Sequence, residues 1–168
     1  MGVILGPGIA GIDRFIAAPP GAAWDLLVDV TAWPLWGPSV RRAILHDGAT
    51  GLSLGTRGDV WTAVGVRLPF VITEFEPGHR WTWKVSGVRA TGHQVTAAPG
   101  GCRVRFEVPR WATAYLPVCA VALSRIESAL ERCDIGDFGL QEYVVEGDGS
   151  QVSRADDIKK RGKDMGDR

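Results

Sequence analysis

No apolar run in this 168-residue sequence can cross a bilayer. The longest, such as Leu116 to Leu123, falls well short of the roughly 18 to 20 residues a spanning helix needs. Stable membrane insertion is therefore not expected. Charge of one sign is also missing, since 19 Lys+Arg balance 19 Asp+Glu, so no long-range field gathers nucleic acid. Cysteine is scarce: Cys102, Cys119 and Cys133 are odd in number, widely spaced and without a CxxC pair. That pattern argues against a disulfide framework and a zinc knot, and leaves buried thiols. There is no GxxxxGK, no GxGxxG leading from strand to helix, no HExxH and no GxSxG, so nucleotide, zinc-protease and hydrolase chemistry lose support. No metal and no cofactor is expected. Met1 to Ala10 lacks a basic stretch and is broken by Gly2, Gly6, Pro7 and Gly8, unlike a secretory signal, which makes the cytoplasm the expected compartment.

What is present suits one globular domain. Apolar residues make up 45% and charged residues 23%, enough for a core without staples. Lys84 is the only lysine before Lys159, and from Gly147 onward Gly, Ser and mixed charges dominate. Burial there cannot offset ordering entropy, so the expected division is a domain over 1–136 and a polar extension over 137–168. The extension is expected to be mobile after 147, with at most a frayed helix from Arg154 to Arg161.

Ile9 to Ile16 favours a strand and meets Pro19-Pro20, where proline can open a helix. Ala23, Trp24, Leu27 and Val28 continue near helical spacing. Trp33-Pro-Leu-Trp36-Gly-Pro then leaves room for a single turn. Short β-like runs follow: Val40 to His46, Thr56 to Val64, Val66 to Phe75, Arg80 to Val85, Val88 to Ala97 and Cys102 to Trp111. Glycine and proline turns separate them, as in an antiparallel meander. Val104, Phe106 and Val108 alternate with Arg103, Arg105 and Glu107, marking one buried and one wet face. Leu116, Cys119, Leu123, Ile126, Leu130 and Cys133 recur at helical spacing, predicting a long amphipathic helix with Gly136 as its stop.

These elements specify an α+β fold in which a curved seven-stranded antiparallel sheet wraps around the long C-terminal helix, with two short helices after the first strand. One helix stripe cannot fill the concave side, so an apolar pocket is expected between sheet and helix. Ala18-Pro19-Pro20-x-x-x-Trp24-x-Leu-Leu, Trp33-Pro-x-Trp36-x-Pro38, Leu54-Gly-Thr56, Val71-Ile-Thr-Glu74-Phe-Glu-Pro77, Trp81-x-Trp83 and His93 carry a resemblance. Over roughly Ile9 to Arg132 the chain resembles the polyketide cyclase/dehydrase branch of the START-like (SRPBCC), helix-grip superfamily. Gly101-Cys102 stands where a glycine-threonine pair is usual there. The resemblance implies the helix-grip fold. Its members include lipid and hormone carriers, aromatase/cyclases and quinone-handling proteins, so it implies no single activity.

Three residues are candidates for catalysis. His93 shares a strand face with Thr91 and Val95, and the resemblance places a recurring histidine there. An inward imidazole can orient a carbonyl or move a proton, whereas a core histidine is only hydrogen-bonded to its neighbours. Glu74 follows Val66, Leu68, Phe70 and Ile72 in alternation and faces the same concave side unless a bulge intervenes. Otherwise it pairs with Arg80 at the strand end. Arg14 alternates with Ile12 and Ile16 but Asp13 alternates with Phe15, so the inward face of the first strand stays open. Ligand contacts are expected from Trp83, His93, Val95, Phe106, Tyr115, Cys119 and Leu123. Of Trp36, Trp61, Trp81, Trp83 and Trp111, about two are expected at the cavity and the rest in the core.

Three functions compete. A binding module would shield a small hydrophobic molecule, aromatic, polyketide-like or lipid-like, in an apolar cavity. An aromatase/cyclase or dehydratase would shape such a molecule while His93 and an arginine manage protons. An interaction protein would have a collapsed cavity. Polar groups converging in the pocket favour the second, an apolar lining the first and no pocket the third.

Overall fold

The computed structural model of the chain describes the backbone of residues 1–141 and the side chains of residues 1–132. Met1–Asp134 is one compact unit and is described by itself. The elements of the described residues are β1 (Gly2–Gly6), β2 (Ile9–Ile16), α1 (Pro20–Val28), α2 (Trp33–Trp36), β3 (Val40–Leu45), β4 (Arg57–Thr62), β5 (Arg67–Glu76), β6 (Arg80–Val85), β7 (Val88–Ala98), β8 (Gly101–Pro109), a 3-10 segment (Arg110–Tyr115) and α3 (Leu116–Gln141).

The strands form one antiparallel sheet in the order β1-β2-β8-β7-β6-β5-β4-β3. It has eight strands, one more than expected, because Gly2–Gly6 adds itself to the outer edge of β2. Five residues that begin and end in glycine carry too little alternation to announce a strand, and the two-glycine turn around Pro7 that folds it back looks like a flexible terminus in sequence. Val85-Ser86-Gly87-Val88 is a two-residue hairpin with positive φ at Ser86 and Gly87, the twist-matched geometry for joining β6 to β7. Gly101 is required on different grounds: a Cβ there would collide with the Ile16 carbonyl where β2 leaves the sheet.

Register settles which residues face inward. Ile12 pairs with Phe106, which pairs with His93, which pairs with Trp81, so one row crosses four strands. Ala10, Ile12 and Ile16 join Cys102, Val104, Phe106 and Val108 in the core, together with Phe70, Ile72, Trp81, Trp83 and Val95. Against this face lies the stripe Cys119, Ala122, Leu123, Ile126 and Leu130 of α3. α3 runs through Gly136, expected as its stop, to Gln141. One glycine costs a helix interior only about 1 kcal/mol, too little by itself to end it. The Cys133 side chain, the expected mobility after 147 and the frayed helix from Arg154 to Arg161 lie outside the described residues.

The second seal on the core comes from the elbow between α1 and α2. α1 ends with free carbonyls, as every helix does. Trp33 Nε1 donates to the Leu27 carbonyl at 3.0 Å and Trp36 Nε1 to that of Leu26 at 3.2 Å. Both indoles are thereby fixed over the concave face, Trp33 stacking on Trp81 with centroids 5.5 Å apart and planes 4° from parallel.

Candidate functional site

The space between sheet and α3, expected to be the pocket, is mostly filled. Trp33 and Trp36 swing into it beside Trp81, Trp83, His93 and Phe106, and a cavity of only about 40 Å³ remains. Of the expected lining, Trp83, His93, Phe106, Tyr115 and Cys119 border that remnant, whereas Val95 and Leu123 are fully buried and line neither it nor the larger space at the end of the sheet. Burial pushes the Cys119 thiol up to about 12, so it is packing rather than a nucleophile.

The usable space lies at one end of the sheet. A cavity of about 410 Å³ is bounded by Val60 and Leu68 of β4 and β5, by the β6–β7 hairpin, by Val108 and Pro109, and by Trp111, Ala112 and Tyr115 of the 3-10 segment. Pro109 explains why it exists: proline ends β8, and the six-residue 3-10 segment spans from sheet to helix instead of packing down on it. In sequence this span reads as the end of a strand, so Val60, Leu68, Arg89, Val108 and Ala112 are lining residues that pattern alone does not single out. Pro109 was the available signal.

Trp83 and Thr91 form a floor between the two spaces, since both border the large cavity and the small remnant. Trp83 Nε1 donates to Thr91 Oγ1 at 3.0 Å, and Thr91 Oγ1 lies 3.1 Å from His93 Nε2. Tyr115 and Ser39 also border both spaces, and their hydroxyls are hydrogen-bonded to each other. Burial raises the Tyr115 phenol, which therefore stays protonated. Apart from Arg89 and the indole N–H groups of Trp83 and Trp111, the polar side-chain groups at the large cavity are hydroxyls: Ser39, Thr62, Thr91 and Tyr115.

His93 is 2% exposed and borders only the remnant. Burial first and the Arg80 charge second lower its pKa to about 3. The Trp81 backbone pulls the other way without meeting hydrogen-bond geometry, and Nδ1 has no hydrogen-bond partner among the described residues. The ring is neutral near pH 7 and cannot serve there as a proton donor of imidazolium type.

Glu74 does not face the concave side. A bulge between Ile72 and Glu74 shifts the alternation, so Phe75 turns inward against Trp24 while Glu74 points out to Arg80 Nε at 3.3 Å. Arg14 shares the inward face with Ile12 and Ile16, and Glu127 of α3 holds its Nε at 3.0 Å, so its charge is neutralised and borders neither cavity. Trp36, Trp81 and Trp83 border the inner remnant and Trp83 and Trp111 the larger cavity, more than the two expected. Trp61 lies on the outer face between the guanidinium groups of Arg42 and Arg67. Among the described residues no group of three His, Cys, Asp or Glu side chains is placed to hold a metal ion.

The sequence model of a family described as polyketide cyclase / dehydrase and lipid transport matches residues 12–133. No curated protein matches the chain. Solved structures do. A Nitrosomonas europaea protein is 14% identical over 79% of this chain and 99% of its own, with a TM-score of 0.58. One from Mesorhizobium loti is 17% identical over 74% and 97%, with a TM-score of 0.60. The XoxI protein of Bacillus cereus is 12% identical over 76% and 99%, with a TM-score of 0.61. At such identities the likeness carries the fold alone.

Proposed function

The chain belongs to the polyketide cyclase/dehydrase and lipid transport family, and from that premise we propose that it is a binding module for a small hydrophobic molecule, aromatic, polyketide-like or lipid-like. The ligand sits in the 410 Å³ cavity between the sheet and the 3-10 segment that leads into α3. The observation that carries this reading is the lining: aliphatic and indole surface with hydroxyls, Arg89 being its one charged side chain. A volume of this size suits a small ligand whose body is apolar and whose few polar atoms meet hydroxyls. The cyclase or dehydratase alternative loses its proton carriers, since His93 is neutral beneath the floor, Glu74 points outward and Arg14 is paired. We place the protein in the cytoplasm, consistent with Cys102 and Cys119 being free, buried thiols.

The test is a titration with 1-anilinonaphthalene-8-sulfonate, followed by tryptophan fluorescence and probe emission. Ala90→Phe and Ala112→Phe, which fill the cavity, are expected to weaken binding at least about tenfold without lowering the melting temperature. Saturable binding that ignores both substitutions would overturn the reading.

A further inference from the structure

We propose that the cavity mouth is a docking rim for a membrane surface bearing anionic headgroups. Because neighbouring strands alternate direction, the β4–β5 turn, the β6–β7 turn and the 3-10 segment after β8 all lie at one end of the sheet, where the cavity opens. That end carries large apolar side chains in water: Val64 is 86% exposed, Trp111 73%, Val88 53% and Val66 51%. Isolated exposed apolar residues are ordinary, but several clustered around one opening mark an interaction site.

Charge selects the occupant. The turns and strand ends at this end hold one acid, Asp59, which pairs with Pro69 and is buried between Arg67 and His46; residues 38–44, 60–70, 84–91 and 108–115 contain no Asp or Glu. They carry Arg41, Arg42, Arg67, Lys84, Arg89 and Arg110, all exposed, and of these Arg67 is shared with Asp59. The balanced net charge of the chain conceals this local excess. Two copies meeting through this face would bring like charges together, which disfavours self-association. An anionic lipid surface complements them, each basic group near it adding attraction. The apolar groups sit on separate turn tips rather than in one groove, a form suited to shallow insertion between headgroups, and an indole is well placed at that boundary. Docking this way would be peripheral and reversible, and it brings the cavity mouth against the lipid phase.

The test is flotation of the full chain with phosphatidylcholine vesicles, with and without phosphatidylglycerol. Binding is expected to require the anionic lipid and to fall as salt is raised. The double variant Val64→Asp/Arg110→Glu, whose residues do not line the cavity, is expected to lose at least about tenfold in apparent affinity, with unchanged melting temperature and unchanged anilinonaphthalene binding in the absence of vesicles. Absence of flotation with anionic vesicles would overturn the proposal, as would binding that the double variant leaves intact, or a concentration-dependent dimer that the same variant abolishes. Each result is independent of whether the cavity takes the probe.

Discussion

The imidazole of His93 lies face to face with the indole of Trp81, ring centroids 3.9 Å apart and planes 25° from parallel. Phe106 closes a second side edge-on at 4.6 Å. A cation placed there loses its water without gaining an anionic partner, which is why burial dominates the lowered pKa.

Stability should therefore depend on pH through His93. The unfolded chain takes up a proton near 6.5 and the folded one only near 3, so between those values the unfolded state binds more protons. Stability is then complete above about 6.5 and falls as pH drops, by up to about 1.4 kcal/mol per unit. Urea unfolding across this window is expected to show that slope in the native chain and a flatter one in His93→Phe.

On the outer face Asp59 is 4% exposed and accepts from both Arg67 and His46. The Arg67 hydrogen bond lowers its pKa below 3.8, outweighing the opposing effect of burial. A depressed carboxyl stabilises the fold above its unfolded pKa and loses that contribution as pH falls through the folded value. Carboxyl NMR should find the Asp59 midpoint below 3.8. In Arg67→Ala it should move upward, and an unmoved midpoint would remove Arg67 as the cause.

Much of the fold was legible because its signals are local. Glycine and proline bound each central strand, Val104, Phe106 and Val108 alternate with charge, and Leu116 through Leu130 keep helical spacing. What was not legible depends on pairing and volume. The outward turn of Glu74 follows from a bulge between β5 and β6 that no residue type announces. The cavity moved because Trp33 and Trp36, tied to α1 carbonyls, consume the space under the helix, and hydrophobic pattern does not say at which end side-chain volume runs out. His93 was placed on the correct face by alternation, yet its neutrality depends on four aromatic neighbours brought from other elements.

The α3 stripe should carry a large share of stability. Leu123 and Ile126 are fully buried in the core cluster. Removing either side chain leaves a void that a packed sheet cannot close, so Leu123→Ala and Ile126→Ala should each cost about 2 to 5 kcal/mol in urea unfolding. Losses under about 0.5 kcal/mol would mean that this face does not pack on the sheet.

Thr91 offers the sharpest test of the floor between the two spaces. An indole N–H can only donate, so Thr91 Oγ1 accepts from Trp83 Nε1. The hydroxyl proton is then free to point at His93 Nε2, which makes Nε2 the acceptor and puts the ring proton on Nδ1. The reverse tautomer would leave the hydroxyl proton without an acceptor in a buried site, whereas Nδ1–H has the Trp81 backbone beside the ring, though short of hydrogen-bond geometry. Nitrogen-15 NMR should accordingly find His93 as the Nδ1–H form. Thr91→Val keeps the shape and removes the oxygen, stranding a buried donor on Trp83 and a buried acceptor on His93. The expected loss is about 1 to 3 kcal/mol for each stranded group, with the tautomer preference relaxed. Thr91→Ser restores the oxygen and should recover most of the stability and the Nδ1–H signature together. If valine and serine variants unfold alike, the hydroxyl is not what ties Trp83 to His93, and packing alone holds the floor in place.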